Sequence, residues 1–369
     1  MRVFISAISL FILSGFNAPA TQAEEYTYKT IKPPRVLTTE QAQRASDNYQ
    51  KYCSLCHGKD REGYANDHAP SLKSKQLLQS GVPHSILRPM SYGRVGTAMG
   101  GYLDEVGGPL TLDEAWDLTY WLFWQENHER LRLSENPVVG DISKGDELYA
   151  KHCTECHGKN GEGVNAPALA NPSALAHNKD EFIRYTIREG RDGTPMQAWK
   201  TTLSSYEIDS LTAFLRSKAD GWNDSKPVLR AIPTKGQYIL NPDGDDPEFQ
   251  LKDNMYVMAA DLNAALESGK RLMLMDTRVP SVWQRAHIKG SNPMPYYTNV
   301  DDVVADLPKD VTIVAYCSCP RAASDYLVRQ LRERGFNNTM TMYEGVFGWM
   351  NLGFPVMRAE GLEAAKTGK

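Results

Sequence analysis

Two short stretches of the sequence place two cysteines and a histidine at the same spacing. They are Cys53-Ser54-Leu55-Cys56-His57 and Cys153-Thr154-Glu155-Cys156-His157. Covalent attachment of haem c requires this pattern, because two thiols one turn apart form thioethers with the vinyl groups and the adjacent imidazole ligates the iron. A four-cysteine zinc site is the main alternative, but it does not explain the histidine after each pair. We therefore expect two covalently bound haem c groups.

The other two of the six cysteines, Cys317 and Cys319, follow an apolar run from Val311 to Tyr316. A thiol between a buried strand and the first turn of the next helix is stabilised as a thiolate by free N–H groups and by the helix dipole. Cys317 is therefore a predicted nucleophile. Cys319 either resolves, by thiol exchange, a group bound to Cys317 or is an inert small core residue.

The segments around the two haem motifs form an internal repeat. Tyr49 to Gly63 matches Tyr149 to Gly163, and a small loop difference around Asn66 to His68 follows. Each motif is then followed by an Ala-Pro pair, a Gly-Thr-x-Met segment and a helix start. These landmarks are Ala69-Pro70 and Ala166-Pro167, Gly96-Thr97-Ala98-Met99 and Gly193-Thr194-Pro195-Met196, and Thr111 and Ser204.

Helix signals position these motifs. Thr111 and Ser204 are each followed three residues later by a glutamate, the capping-box signature of a helix N-terminus. Apolar residues recur at helical spacing after both positions. Two further helices, beginning near Thr38-Thr39 and near Asp141 to Ser143, lead into the cysteine motifs. The repeat therefore predicts two all-α units over residues 37–134 and 138–222.

The remainder of the chain has a different pattern. Residues 223–254 are rich in Pro, Asp, Gly and Lys and are predicted to form a linker. Beyond them, over residues 255–358, short apolar runs alternate with helical stretches. That alternation favours an α/β domain with a mainly parallel sheet.

The first residues predict export. A positive start, an apolar run from Val3 to Phe16 and small residues up to Ala23 are typical of a secretory signal peptide over residues 1–23. An uncleaved membrane anchor is the alternative, although the run is shorter than the roughly 20 residues that span a bilayer. We expect a periplasmic mature protein without a transmembrane segment. A net charge of −4 gives no electrostatic case for binding nucleic acid.

The region from Leu37 to Trp222 resembles tandem class I c-type cytochromes. The resemblance implies that His57 and His157 are the proximal iron ligands and that Met99 and Met196 are the distal ones. With both axial positions filled, the iron has no place for a substrate, and these units would transfer electrons.

Further roles follow from the same resemblance. The carbonyl groups of Pro70 and Pro167 would orient the ligand imidazoles. Met90 and His84 are competing distal ligands in the first unit, although only Met99 has a counterpart in the repeat. Two aromatic residues, Tyr102 and Trp199, would pack on the haem edges.

The C-terminal domain resembles rhodanese-like domains. The resemblance rests on Met275-Asp276-Thr277-Arg278, on His287 to Ser291, on Val314-Ala315-Tyr316-Cys317, and on Tyr343 to Trp349. In that family the cysteine at the end of the central strand holds a sulfane sulfur as a persulfide. This implies that Cys317 is the catalytic residue.

The loop after Cys317 departs from the family pattern. Pro320 stands where the family has a glycine and Ala322 where it has its second arginine, while Arg321 lies one position early. Arg321 is the candidate anion-binding residue, and the departures argue against standard transfer from thiosulfate to cyanide. Asp276, Arg278 and His287 are expected to be structural.

The sequence therefore predicts a multidomain protein, with two all-α cytochrome c domains followed by an α/β rhodanese-like domain. Its predicted function is periplasmic electron transfer coupled to sulfane-sulfur chemistry on thiosulfate, polysulfide or persulfide. The expected partners are redox proteins, either cytochromes or a terminal oxidase, and a small sulfur compound. The alternative is a plain electron-transfer subunit whose rhodanese-like domain is a docking module. A sulfurtransferase decorated with haems fits less well.

Overall fold

A computed structural model describes residues 27–29, 35–124, 130–134, 136–219, 229–318 and 321–358. The predicted signal peptide over residues 1–23 lies outside the described residues, as do Cys319 and Pro320. In the described part of the chain, no helix is both long and apolar enough to cross a membrane.

The first helical unit surrounds the first cysteine motif. Thr38 caps the helix that leads into the motif, and its side chain accepts a hydrogen bond from the Gln41 amide as the sequence predicts. The unit contains β1 (Thr27–Lys29), α1 (Thr39–Tyr52), α2 (Ser54–His57), α3 (Lys75–Ser80), α4 (His84–Tyr92), α5 (Leu112–Trp124) and β2 (Arg130–Arg132). Strands β1 and β2 pair antiparallel.

The second unit repeats this order of helices. It contains α6 (Ile142–His152), α7 (Thr154–His157), α8 (Pro172–His177), α9 (Asp180–Glu189) and α10 (Ser205–Arg216). Asp141 caps α6, and a capping box between Ser204 and Glu207 begins α10. These starts confirm the predicted helix positions.

The C-terminal domain is the predicted α/β unit. The chain runs through β3 (Ile239–Leu240), β4 (Tyr256–Val257), α11 (Ala259–Glu267), β5 (Leu272–Asp276), α12 (Pro280–Arg285), β6 (Ala286–Ile288), β7 (Asn292–Pro293), α13 (Val300–Val304), β8 (Ile313–Tyr316), α14 (Ala322–Glu333), β9 (Thr339–Met342), α15 (Gly345–Asn351) and β10 (Val356–Arg358). Strands β5, β8, β9 and β4 pair parallel, and β3 adds an antiparallel edge. The four apolar residues of β8 are all buried, as expected of a central strand.

The structure corrects the predicted linker over residues 223–254. Strand β3 pairs with β5, and Leu240, Phe249 and Leu251 pack against the core of the α/β domain. Pro, Asp and Gly mark turns, but the apolar residues between them are enough to form an edge strand. The α/β domain therefore begins before residue 240.

The α/β domain docks on the first helical unit. Val279 is 4% exposed and belongs to the same hydrophobic core cluster as Tyr52 and Leu118. Val282 and Tyr297 pack against that cluster. The core of the first helical unit therefore continues into the C-terminal domain, which the sequence did not indicate.

Candidate haem and sulfur sites

Helix α1 ends at the first cysteine motif. Cys53 closes α1 through a hydrogen bond from its amide to the Tyr49 carbonyl, and α2 then carries the rest of the motif to His57. The Tyr49 hydroxyl donates to the Gly58 carbonyl at 2.6 Å. In the second unit the Tyr149 hydroxyl donates to the Gly158 carbonyl at 2.9 Å. Both motifs are therefore held by the same local structure.

Each motif histidine has one ring nitrogen fixed. The Nδ1 atom of His57 lies 2.8 Å from the Pro70 carbonyl oxygen, and Nδ1 of His157 lies 2.8 Å from that of Pro167. These contacts confirm the expected orienting role of the two prolines. Because Nδ1–H donates a hydrogen bond to the carbonyl, the Nε2 atom carries the lone pair that could ligate a metal. Burial lowers the pKa of both histidines, which favours the neutral imidazole that binds iron.

The chemistry of the donor set fits haem c. Cys53, Cys56, Cys153 and Cys156 form no disulfide among the described residues. Burial raises the pKa of Cys53 to about 12. Burial also raises the pKa of Cys56 and of Cys153, so these thiols are neutral beside a neutral imidazole, which suits thioether attachment.

The two methionine loops have matching hydrogen bonds. The Arg94 amide donates to the Met99 carbonyl at 2.8 Å, and the Met99 amide donates to the Thr97 hydroxyl at 3.2 Å. In the second unit, Arg191, Thr194 and Met196 make the same two bonds at the same distances. Ligation by either methionine stays a prediction.

The alternative ligands of the first unit, Met90 and His84, both lie on α4. Met90 is 4% exposed in the core, within α4, and its carbonyl accepts from the Tyr102 amide at 2.8 Å. His84 is exposed and packs edge-on against Trp116. Met90 is thus a core residue.

Sequence reasoning missed an arginine in each methionine loop. Burial lowers the pKa of Arg94, and it lowers the pKa of Arg191 to about 10. Nη1 of Arg191 is buried without a hydrogen-bond partner among the described residues. A buried guanidinium of this kind suits a carboxylate such as a haem propionate. The repeat carried the signal, because Gly93-Arg94 and Gly190-Arg191 occupy equivalent positions.

The candidate sulfur site, at Cys317, lies at the end of β8. Cys317 is 3% exposed, and its Sγ atom accepts a hydrogen bond from the Ser324 hydroxyl at 3.4 Å. Burial raises the pKa of Cys317 to about 12, although Ser324 in the first turn of α14 lowers it. The expectation of a resting thiolate is therefore corrected, because desolvation outweighs the helix N-terminus. The thiol is neutral at neutral pH.

Arg321 is fixed beside this site at the start of α14. Its guanidinium carbon lies 4.7 Å from the ring centre of Tyr256 and 4.2 Å from that of Tyr343. Its Nη1 donates to the Tyr343 carbonyl at 2.9 Å. Two aromatic faces and one carbonyl thus hold a cation near Cys317.

The three polar residues expected to be structural are structural. Arg278 Nε donates to both carboxylate oxygens of Asp276 at 2.8 and 3.1 Å, and both residues are buried. Nδ1 of His287 donates to the Trp283 carbonyl at 2.7 Å, and the His287 ring stacks on the Trp283 ring. Arg278 also donates to the Ala286 carbonyl at 2.7 Å, which joins the loop after β5 to the start of β6.

Tyrosines connect the α/β domain to the first cysteine motif. The Tyr296 hydroxyl donates to the Tyr52 carbonyl and lies 3.5 Å from the Tyr102 hydroxyl. The Tyr297 ring packs edge-on against Tyr52 at 4.8 Å. Tyr102, expected at a haem edge, thus lies at the domain interface. The pKa of Cys56, raised mainly by burial, is raised further by Asp67 and by Cys317.

Two known families match parts of this chain. The family described as cytochrome C oxidase, cbb3-type, subunit III matches residues 140–215, and the rhodanese-like domain family matches residues 258–352. The chain therefore carries a cytochrome c domain and a C-terminal rhodanese-like domain. The matched cytochrome range is the second helical unit.

Known proteins resemble the chain over the same parts. A cbb3-type cytochrome c oxidase subunit FixP of Bradyrhizobium is 28% identical over 198 residues, which are 52% of this chain and 65% of that subunit. A subunit CcoP of Helicobacter pylori is 25% identical over 170 residues, 45% of this chain and 54% of that subunit. The probable adenylyltransferase/sulfurtransferase MoeZ of Mycobacterium tuberculosis is 29% identical over 105 residues, 28% of this chain and 26% of that protein. The chain thus spans less than two thirds of each relative.

Among solved structures, a chain of the reducing HAO-like protein complex of Kuenenia stuttgartiensis matches 52% of this chain and 100% of its own length. Its sequence identity is 21% and its TM-score is 0.32. A TM-score this low supports no functional argument.

Proposed function

We propose that the protein is a periplasmic cytochrome with two haem c groups, which carries electrons and handles sulfane sulfur at Cys317. The observation that carries this proposal is the docking of the rhodanese-like domain on the first helical unit. The two domains share one hydrophobic core through Val279, and Tyr296 bonds to the residue that precedes Cys53.

The proposed haem sites use the chain's own repeated residues. Cys53 and Cys56 would hold one haem and Cys153 and Cys156 the other. His57 with Met99, and His157 with Met196, would be the axial pairs. Bound haem c supplies one-electron transfer, and a methionine ligand favours ferrous iron and raises the potential. The matched hydrogen bonds of His57 and His157 support equal roles for the two units.

At Cys317 the proposed step is transfer of a sulfane sulfur. The Cys317 sulfur bonds to the outer sulfur of a donor R–S–SH, the donor's S–S bond breaks, and the electron pair leaves on the donor's thiolate. The proton of the Cys317 thiol passes to that thiolate, so the step needs no oxidant. Arg321 would hold the anionic part of the donor. The resolving role of Cys319, which lies outside the described residues, stays a prediction.

The redox partner is proposed from the relatives. FixP and CcoP are by name subunits of cbb3-type cytochrome c oxidases. A cytochrome or a terminal oxidase is therefore the proposed electron acceptor, and a small sulfur compound the proposed donor.

One observation favours the docking-module alternative. Cys317 is buried, and burial raises its pKa to about 12, so the resting thiol is a weak nucleophile. In that case the rhodanese-like domain only stabilises or positions the first helical unit.

Sulfur loading and haem spectra distinguish the sulfur-handling function from the docking-module function. Thiosulfate, polysulfide and glutathione persulfide are added in turn to the oxidised, oxygen-free protein, while intact mass and the ferrous bands are followed. The proposed function requires one added sulfur on Cys317, which is lost in Cys317→Ser. Electrons leave in a separate step, in which the persulfide on Cys317 and the thiol of a spent persulfide donor join as a trisulfide, two protons are released, and each ferric haem accepts one of the two electrons. Ferrous haem should therefore also be absent in Cys317→Ser. Reduction of that variant by ascorbate is the control. If no donor loads Cys317, the docking-module function is correct.

Haem content tests the other part of the proposal. Pyridine haemochrome and protein assays should give a haem to protein ratio near two, and Cys153→Ala should lower it by about half because each repeat holds its own haem. A ratio near one in the unmodified protein contradicts two haem sites.

A further inference from the structure

The first helical unit has a longer loop after its histidine than the second. Thirteen positions separate His57 from Pro70, whereas ten separate His157 from Pro167, so the first loop is three residues longer. Since both prolines make the same hydrogen bond, the added residues are not needed to hold the imidazole. We call residues 64–68 the inserted loop.

The inserted loop has an unusual backbone. Tyr64, Asp67 and His68 have φ values of 57°, 58° and 50°. Few residues with side chains adopt this left-handed region, and strained residues of this kind cluster at ligand-binding and active sites. In the described part of the second unit, positive φ values occur only at glycines.

Hydrogen bonds fix the inserted loop to the first cysteine motif. The Asn66 side chain donates to the Leu55 carbonyl at 2.6 Å, and the Asn66 amide donates to the Cys56 carbonyl at 3.2 Å. The Tyr64 amide donates to the Ala69 carbonyl at 2.7 Å. The loop is therefore a rigid part of the haem-attachment turn.

A cavity of about 390 Å³ separates the inserted loop from the start of α14. One wall consists of the five residues of the inserted loop, and the other of Arg321, Ala322 and Asp325. The volume is within the range of small-molecule sites, about 300–1,000 Å³. Ser324, on the same turn of α14, is the hydrogen-bond donor to Cys317. The cavity thus adjoins the sulfur site and needs both domains.

Three buried polar atoms on these walls lack hydrogen-bond partners in the described structure: Oδ1 of Asp67, Oδ1 of Asp325 and Nε of Arg321. Asp325 and Arg321 each have another polar atom that is hydrogen-bonded. Tyr256 donates to the other carboxylate oxygen of Asp325 at 3.2 Å, and Arg321 donates through Nη1 to a main-chain carbonyl. Buried polar groups are almost always paired with protein or with water, and a ligand that donates to two carboxylates and accepts from a guanidinium would pair all three atoms.

We propose that this interdomain cavity binds an amino-acid or peptide persulfide, such as cysteine persulfide or glutathione persulfide, and presents its outer sulfur to Cys317. The α-ammonium group lies against Asp67 and Asp325, and the carboxylate against Arg321. This assignment rests on the proposed sulfur-loading function and names its donor.

Charge distinguishes this ligand from thiosulfate. A compact dianion satisfies Arg321 but is repelled by the two carboxylates, and it fills only a small part of the cavity. A zwitterion satisfies all three groups. The Asp67 carboxyl is also close enough to Cys317 to add to the increase in pKa that burial causes.

The test compares donors on the full-length holoprotein. Cysteine persulfide, glutathione persulfide and thiosulfate are each mixed with the protein, and the rate of sulfur addition to Cys317 is measured by intact mass. Both persulfides should load faster than thiosulfate. Asp67→Asn should slow loading by cysteine persulfide about tenfold, because one charge-assisted contact is lost, and should not slow loading by thiosulfate.

Two further variants keep the result interpretable. Asp325→Asn, on the other wall, should have the same effect, and both variants should retain the haem spectrum. Asp60→Asn, an exposed acid of the same turn, should load at the normal rate. Equal loading by thiosulfate and persulfides, unaffected by Asp67→Asn and Asp325→Asn, overturns this ligand assignment but leaves the proposed function intact. Failure of every donor overturns both.

Discussion

The hydroxyl of Tyr296 donates a hydrogen bond to the carbonyl of Tyr52, the residue immediately before Cys53 of the first cysteine motif. Tyr296 belongs to the loop after β7 in the rhodanese-like domain, and Tyr52 is the last residue of α1. The Tyr296 side chain thus joins the rhodanese-like domain to the end of α1, next to the first cysteine motif.

This contact predicts a stability effect. Tyr296→Phe keeps the ring but removes the donor, so the Tyr52 carbonyl loses its partner. The free energy of unfolding, measured by denaturant titration, should fall by about 1–3 kcal/mol. Tyr297→Phe is the matched control, because Tyr297 contacts Tyr52 through its ring. Equal stability of the two variants would show that the hydrogen bond contributes nothing.

A second prediction concerns close packing at Gly100. A Cβ atom there would lie 2.0 Å from Cγ1 of Val279 and 2.6 Å from Cγ2 of Val282. Gly100→Val should therefore separate the rhodanese-like domain from the first helical unit while leaving haem attachment intact. Faster hydrogen exchange over residues 279–283 and a larger radius of gyration would report the separation.

The repeat supplies the control for this variant. Gln197 occupies the equivalent position in the second unit and is exposed. Gln197→Val should leave both measurements unchanged. An unchanged radius in Gly100→Val would mean that the interface tolerates the added side chain.

The burial of Cys317 predicts a pH dependence. Its pKa is raised from 9.0 to about 12 in the folded protein, so the neutral thiol stabilises the fold below about pH 9. That stabilisation is lost as the pH rises through the folded-state pKa. Between about pH 9 and about pH 12, the free energy of unfolding should therefore depend less on pH for Cys317→Ser than for the unmodified protein. Alkylation of Cys317 should be slow at neutral pH and grow with hydroxide concentration, and rapid neutral alkylation would contradict burial of the thiol.

Distal ligation can be tested by spectroscopy. Met99→Ala or Met196→Ala should each remove about half of the near-infrared charge-transfer band of methionine-ligated ferric haem and lower one potential. Met90→Leu should leave the band intact, because Met90 is a core residue of α4. If the band survives in Met99→Ala but is lost in Met90→Leu, then Met90 is the distal ligand and Met99 is not.

Much of the helical architecture could be predicted from local signals. The capping residues Thr38, Asp141 and Ser204 begin helices as expected, because side-chain oxygens satisfy exposed amides within a few residues. The carbonyls of Pro70 and Pro167 also lie where the family resemblance implies.

Other features depend on contacts between distant residues. Strand β3 falls within the segment that the sequence predicts as a linker. Its two residues form a strand only because they pair with β5. The protonation of Cys317 follows from burial by the whole domain, which local sequence does not reveal. The two glycines after Met99, where the second unit has Gln197 and Ala198, hinted that another surface approaches the first unit closely. Val279, which Gly100 approaches, lies far along the chain.

The claim that Cys317 and the first helical unit act together can be tested by following haem reduction in a stopped-flow spectrometer. Glutathione persulfide is mixed with oxidised Cys153→Ala protein, in which only the first unit is expected to hold haem, and the ferrous band is recorded without oxygen. The band should appear at a rate close to that of the unmodified protein and be absent in the double variant Cys153→Ala and Cys317→Ser. No reduction in Cys153→Ala, or equal reduction in the double variant, would contradict the claim.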